Sequence, residues 1–599
     1  MSVGTALRKP PKTAVLPVLL GLTLTMMGSA AMAQNQTGQV RDTMSDTWVA
    51  TDALARTLPD IEQCGPIRED KIVGIFYFVW LGAHSKHVYD ITKILAQNPE
   101  EAPWGPPGAF HHWGEPHFGY YQSNDEFVIR KHAQMLCDAG VDVLFSDVTN
   151  AVTYDENYLT ICRVFEQLRK AGRKTPQLAF LTNSQSGKVV QRLYDNFYSK
   201  NLYPGLWFMW DGKPLILAKR EEMSPQCREF FTVRQSWAWT DPNGWFGDGK
   251  DKWPWLDHHP QNPGWHDSPD APEQLPVCVA QHPVSNIGRS FHDGKQPPAD
   301  QLATDSGPCF DEQFERALQV DPRVVFITGW NEWVAQRFIK PEKGGPGIIA
   351  GKPLKPGDSY FVDQYDREFS RDIEPMRGEH QDNYYYQMVS WIRRFKGVRQ
   401  RPKASDPRTI SINADFSQWD AVGPEFLDDL MDTTHRNHSA WEPLPDYVNT
   451  SGRNDFEAAK VARDDSNLHF YIRTREPITA PEGDRWMLLL INADGNPSTG
   501  WEGFDILVNR LRGEPGTCSV ERSRGGWSWE PAGEAQIAFA GRELHLAVSR
   551  QTLGLSPDAG KLSIDLKWAD NTPREADITD FIDIGDVAPN GRFCYRYEE

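Results

Sequence analysis

At 599 residues the chain exceeds one small domain, and 39% hydrophobic with 24% charged residues excludes both a largely disordered chain and a multi-span membrane protein. Acidic residues outnumber basic ones by 82 to 63, a formal charge of −19, and such a surface repels phosphate backbones, so nucleic acid is not an expected partner. Aromatics reach 12%, with 22 Trp, 18 Tyr and 29 Phe, a content that suits sugar-stacking surfaces as well as ordinary cores.

Residues 1–33 read as a cleavable signal peptide. Arg8, Lys9 and Lys12 form a basic start, an apolar run A-V-L-P-V-L-L-G-L-T-L-T-M-M-G follows, and Ala31-Met32-Ala33 supplies a small-residue cleavage pattern before Gln34. The run is short for a span and no second one follows, so no membrane anchor is expected and the mature protein is expected to be periplasmic or secreted. An exported chain can form disulfides. Cys518 with Cys594 is one candidate bridge in the last domain, the sequence leaving the pairing open, and the absence of any C-x-x-C argues against zinc.

Residues 34–65 form a polar N-terminal segment. From 66 to 398, strand-like apolar runs alternate with helical patterns. The runs are Ile72–Trp80, Val141–Asp147, Leu178–Thr182, Leu206–Trp210 with Pro214–Ala218, Val233–Trp239, Val277–Gln281 and Val324–Trp330. Helical spacing occupies 124–139, 155–171, 186–199, 223–231, 310–319 and 380–397. Continuous apolar strands alternating with helices predict a buried parallel sheet, and seven or eight such units favour a (β/α)8 TIM-like barrel, an α/β fold. Two insertions rich in Trp, His, Pro and Gly, 81–123 and 241–275, follow strands and belong on the carboxyl-end face. Residues 399–409 make a linker. From 410 to 599, short strands separated by turn signals predict an all-β sandwich.

Catalytic groups of a barrel sit where strands end at the carboxyl face. The run Val324–Thr328 leads into Gly329-Trp330-Asn331-Glu332-Trp333, a carboxylate flanked by aromatics that desolvate it and raise its pKa, as a general acid or base near neutral pH requires. The bland alternative is a strand-end Glu tied into a hydrogen-bond network. Asp147, closing V-D-V-L-F-S-D, is the expected catalytic partner, against the alternative of a loop cap. Expected sugar contacts are Trp80, His84, Trp210, Trp237, His282, Trp330, Asn331 and Trp333, with Glu115 from H-H-W-G-E-P-H. The histidines of that loop match no H-E-x-x-H spacing, so no metal is assigned to the barrel. The charge-dense stretch 361–375 reads as a salt-bridged support, or as a place where Gln364, Arg367 or Arg371 touches substrate.

G-W-N-E-W at 329–333, with M-W-D-G-K-P-L-I-L at 209–217 and I-V-G-I-F-Y-F-V-W at 72–80, resembles glycoside hydrolase family 99 and the related family 71 over about residues 66–398. The resemblance implies a barrel hydrolase of glycosidic bonds. Family 99 carries W-N-E-W-x-E, whose first glutamate matches Glu332; the second position is Ala335 here, so the family's two-glutamate route does not carry over whole. In the last domain, I-S-I-N-A-D-F-S-Q-W-D at 410–420, D-D-S-N-L-H-F-Y-I-R-T at 464–474 and L-L-L-I-N-A-D-G-N-P-S-T-G-W-E-G-F-D at 488–505 resemble family 9 carbohydrate-binding modules. Trp501, Trp527 and Trp529 are candidate stacking rings there. No cofactor is expected, although Asp494, Asn496 and Asp505 offer oxygens of the kind Ca2+ takes.

The expected function is therefore an exported glycoside hydrolase acting on a poly- or oligosaccharide by carboxylate acid–base catalysis. The alternative is a non-catalytic glycan-binding protein on a degenerate barrel, motivated by Ala335. A second carboxylate within about 10 Å of Glu332 in an open cleft separates the two.

Overall fold

The computed structural model describes residues 40–98, 101–555, 561–574 and 576–599. The expected signal peptide lies outside the described residues. The first sheet has nine strands, two of them short antiparallel additions at Met209–Trp210 and Gly264–Trp265 and seven parallel: β1 (Ile72–Tyr77), β2 (Val143–Asp147), β3 (Gln177–Leu181), β4 (Lys213–Leu217), β5 (Thr232–Arg234), β6 (Pro272–Cys278) and β7 (Val324–Thr328). Their order is β5-β4-β3-β2-β1-β7-β6. The apolar runs are buried on both faces because helices cover the outside and aromatic rings fill the inside. Phe145 stacks against Phe326 at 4.2 Å. Gly74 is glycine because a Cβ there would stand 2.1 Å from the Phe145 ring.

The connecting helices are α1 (Glu126–Asp138), α2 (Asp155–Lys170), α3 (Ser186–Leu193), α4 (Pro225–Phe230), α5 (Pro308–Val320) and α6 (Asn383–Lys396). Local chemistry sets several starts: Asp125 accepts from Phe127 N at 3.1 Å, and Ser224 accepts from Cys227 N with Pro225 in the first turn. The helical pattern expected to run to 199 continues past α3 as a π-helical turn, Tyr194–Tyr198.

No regular eighth strand completes the (β/α)8 pattern among the described residues. Between β5 and β6 the chain runs through the aromatic insertion without a helix, and the gap is crossed by isolated bridges, Gln235 to Lys252, Ala238 to Leu256 and Lys250 to Trp265. Gly264–Trp265 then pairs antiparallel with β6. Four prolines from 254 to 269 remove backbone donors, which limits regular pairing there.

The second sheet is one continuous antiparallel array of eleven strands, where a sandwich of two sheets was the expectation. They are β8 (Glu425–Leu427), β9 (Phe456–Arg463), β10 (Asn467–Thr474), β11 (Leu488–Asn492), β12 (Ile506–Arg512), β13 (Thr517–Ser523), β14 (Trp529–Ala540), β15 (Glu543–Ser549), β16 (Ser563–Asp570), β17 (Asp586–Ala588) and β18 (Tyr595–Glu598). The order is β8-β9-β10-β15-β14-β13-β12-β11-β16-β17, with β18 also on β16. Irregularities at 456–458, 508–512 and 520–521 bend the strands. The sheet curls until its ends approach: Phe456 N donates to Asp586 Oδ2 at 2.6 Å.

The two sheets share one apolar core. Phe593 packs on Trp48 and Tyr386, each 5.3 Å away. Buried ion pairs cross the junction, Arg592 to Asp382 at 2.8 Å and Arg436 to Asp125 at 2.7 Å. Cys518 and Cys594 are both free, which corrects the candidate bridge: Cys518 lies on β13, whereas Cys594 pairs with Val49 of the N-terminal segment. Trp501 is buried, with Trp527 edge-on at 4.5 Å and Trp529 against Trp527 at 5.4 Å, so these rings pack on one another. Asp494 and Asp505 both accept from Thr499 Oγ1, and Asn496 accepts from Ser498 N, so the candidate calcium residues serve a turn. No helix among the described residues is long and apolar enough to cross a membrane.

Candidate active site

Glu332 follows β7 at the carboxyl-end face. Its Oε2 accepts from Gln364 Nε2 at 2.9 Å and from Arg371 Nη2 in a short ion pair, while its backbone N–H donates to Asp372 Oδ1 at 2.5 Å. Burial pushes the Glu332 carboxyl well above its ordinary range; Arg371 opposes the shift, and Asp363 and Asp372 reinforce it. Asp372, enclosed with it, is pushed up to about 7 by burial, against hydrogen bonds from Trp113 and the Glu332 backbone.

The loop after Glu332 supplies a carboxylate that sequence reasoning missed. Asp363 Oδ1 lies 3.7 Å from Arg371 Nη2 and 3.7 Å from His282 Nε2. Since Arg371 Nη2 also touches Glu332, the nearest oxygens of Asp363 and Glu332 are no more than about 6 Å apart. The Asp363 side chain is 47% exposed against 9% for Glu332, so it is the more open of the pair. Its surroundings push the Asp363 carboxyl up, but His282 and Arg371 outweigh them and hold it below its usual value. The signal was position: Asp363 sits in the loop that leaves the Glu332 strand, beside Gln364, which the sequence did single out.

Asp147 closes β2 and is buried. Its Oδ2 accepts from Trp80 Nε1 at 2.7 Å and its Oδ1 from Thr149 N at 3.0 Å. Burial raises its carboxyl, and the negative charge of Asp363 adds to the shift, so the two share one electrostatic environment. Trp80 meets His84 edge-on at 5.7 Å, and His84 bonds Tyr154 OH at 2.7 Å. On the opposite side, Trp239 lies 4.9 Å from His282, and Trp237 lies 6.0 Å from Trp255, whose ring carries the Arg371 guanidinium at 5.6 Å. Trp237 and Trp239 are both half-buried. Glu332, His282 and Trp237 are thus linked through Arg371, Asp363 and Trp255, and Asp147, Trp80 and His84 form a second group that the charge of Asp363 reaches through Asp147.

The remaining expected contacts lie elsewhere. Trp330 and Trp333 are wholly enclosed: Trp330 packs on His132 at 5.4 Å, and Trp333 stacks on Trp113 at 4.7 Å while donating to Glu374 Oε2 at 2.5 Å. Asn331 accepts from Phe78 N at 2.8 Å and donates to Phe78 O at 3.2 Å, a clamp between the ends of β7 and β1. Tight packing around the strand end turns these three inward. Trp210 precedes β4 in a hairpin at the amino-end face and donates to Glu273 Oε1 at 2.8 Å. Glu115 pairs with Lys93 at 2.5 Å and Arg377 at 3.6 Å, in a charge network separate from Glu332. Arg367 pairs with Asp305 and Glu379. His111 and His112 are buried, and burial pushes them down to about 4 and about 3, so they are neutral.

No family model matches the sequence, and no curated protein matches it. Among solved structures, the chain is similar to the GH99 endo-alpha-mannosidase from Bacteroides thetaiotaomicron, at 16% identity over 56% of this chain and 99% of that chain with a TM-score of 0.30. The same enzyme in complex with BIS-TRIS-propane gives 15% identity, 55% and 98% coverage and a TM-score of 0.30. A glycoside hydrolase-like protein gives 12%, 55% and 96%, with a TM-score of 0.31. Likenesses of this strength leave the chemistry to be argued from the side chains.

Proposed function

We propose that the site formed by Glu332 and Asp363 hydrolyses a glycosidic bond in a poly- or oligosaccharide. The observation that carries this reading is a pair of carboxyl groups sharing the Arg371 Nη2 contact whose surroundings push their proton affinities apart, Glu332 up and Asp363 down. Glu332 holds its proton and gives it to the leaving-group oxygen. Asp363, ionised and partly open to solvent, is the second carboxylate. With nearest oxygens no more than about 6 Å apart the pair is close enough for the retaining route, in which Asp363 attacks the anomeric carbon and water later releases the sugar with Glu332 as base, and the product anomer read by NMR separates this from inversion. Trp80 and Trp239 are the flanking platforms, and Asp147 orients Trp80 through its indole N–H. The partner role expected for Asp147 moves to Asp363.

Reducing-end release from a panel of polysaccharides tests this. Wild type releases oligosaccharide, and Glu332→Gln and Asp363→Asn each lose at least about a hundredfold. Undiminished release by either variant removes that residue from the reaction. One observation favours a second reading, non-catalytic glycan binding: Arg371 and Gln364 both occupy Glu332 Oε2. No release by wild type with retained glycan affinity establishes that reading instead. We also place the mature protein outside the cytoplasm, in the periplasm or medium. Its first residue, read by N-terminal sequencing after export, is then Gln34, and an intact Met1 overturns the assignment.

A further inference from the structure

Three carboxylates of the second sheet meet away from that site. Asp428 follows β8, Asp432 lies in the next turn and Asp586 opens β17. One oxygen from each lies within 4.8 Å of the others. All three are buried, Asp428 to 1% exposure. Neither oxygen of Asp428 has a hydrogen-bond partner, nor has Asp432 Oδ1. Asp432 Oδ2 accepts from Gln134 Nε2 of α1 at 2.9 Å. Asp586 accepts from Phe456 N at 2.6 Å and Val587 N at 2.9 Å, which leaves each of its oxygens a lone pair.

The cations nearby make their direct contacts elsewhere, although the charge of Lys567 reaches Asp428 and Asp586 and that of Arg173 reaches Asp432. Arg173 pairs with Asp429, Arg475 with Asp455 at 3.5 Å, and Lys567 donates to Pro589 O. No ion pair among the described residues includes Asp428, Asp432 or Asp586. Enclosed carboxylates at this spacing repel one another strongly unless a positive charge enters or protons stay bound. Burial, and then the charge of their acidic neighbours, pushes Asp428 and Asp586 well above the ordinary carboxylate range.

We infer that Asp428, Asp432 and Asp586 bind one divalent cation of the hard, oxygen-seeking class, calcium. Oxygens on opposite sides of a calcium ion stand about 4.6–5.2 Å apart, given bond lengths of about 2.3–2.6 Å, so a 4.8 Å cluster closes on such an ion with little movement. Magnesium keeps several waters and rarely occupies an enclosed all-carboxylate cage, and zinc seeks nitrogen or sulfur ligands that are absent from this group. The ion joins the two ends of the curled sheet, β8 and β17, and through Gln134 the barrel helix α1. Its role is structural.

The test uses the full chain, stripped with chelator and titrated with calcium chloride or magnesium chloride alone. Calorimetry is expected to show one calcium per chain, bound at least about tenfold more tightly than magnesium, with a melting temperature that rises with calcium concentration. The double variant Asp428→Asn/Asp432→Asn is expected to bind no calcium and lose the shift, and in chelator to melt no lower than stripped wild type, because two repelling charges are gone. Equal calcium binding by wild type and variant overturns the inference. So does a wild type that binds no calcium and shows no shift. Should the variant fail to fold, atomic emission on wild type dialysed from calcium chloride decides: one retained calcium supports the site, and none overturns it.

Discussion

A buried carboxyl group facing a single guanidinium is held between two forms, and Glu332 is such a group. Burial favours its neutral form, Arg371 its charged form, and the like charges of Asp363 and Asp372 tip the balance to neutral. Activity is therefore expected to have an alkaline limb, falling as pH rises through the elevated Glu332 value. A pH–rate profile checks this, and an alkaline limb unchanged in an Asp363→Glu variant that retains partial activity would assign the limb to Glu332. Asp372 makes a second prediction, about stability. Its folded value of about 7 lies above its ordinary 3.8. The unfolded chain ionises first, so its contribution is complete below pH about 4 and is lost as pH rises toward 7. Urea midpoints measured at several pH values are expected to fall over that window, and Asp372→Asn to flatten the fall.

At the scale of elements, the irregular stretch 250–265 stands where regular pairing stops between β5 and β6. Gly264 approaches Lys252 so closely that a Cβ would stand 1.6 Å from the Lys252 carbonyl oxygen. Gly264→Ala must push that backbone away and is expected to cost about 1–3 kcal/mol, read as a lower melting temperature. The same stretch carries Trp255 beneath Arg371, so the variant's residual activity is expected to fall more than its folded fraction. Gly347, whose Cβ would meet nothing within 4 Å and whose backbone is not left-handed, is the control for simple loss of glycine flexibility.

Over the whole molecule, the parallel sheet with its helices and the antiparallel sheet share a core and buried charge pairs. Arg592 and Asp382 are both nearly enclosed, at 5% and 2% side-chain exposure. Arg592→Met leaves Asp382 buried without its partner and is expected to cost about 3–5 kcal/mol, measured by denaturant unfolding. Calorimetry of wild type is expected to show one transition. A chain ended at Val398 loses Phe593 from Trp48 and Tyr386, and is expected to be insoluble or molten when assayed by near-UV circular dichroism.

Much of the element order was legible from periodicity, because a strand buried on both faces must be apolar throughout and a packed helix must carry a stripe. Val324–Thr328 followed by Glu332, Val143–Asp147, and the helices at 155–170 and 383–396 all carry that signature locally. What a side chain touches is not local. Trp330, Asn331 and Trp333 flank Glu332 in sequence, yet their neighbours His132, Phe78 and Trp113 come from distant segments and turn all three into the core. Asp363 stood in a stretch that read as a salt-bridged support or a substrate contact, and it joins Glu332 only because its own loop folds Arg371 back beside it and His282 arrives from the loop after β6. Asp428, Asp432 and Asp586 are separated by up to 158 positions and meet only when the sheet curls onto itself. Periodicity determines which faces are buried; the pairing of distant charges follows from how those buried faces close.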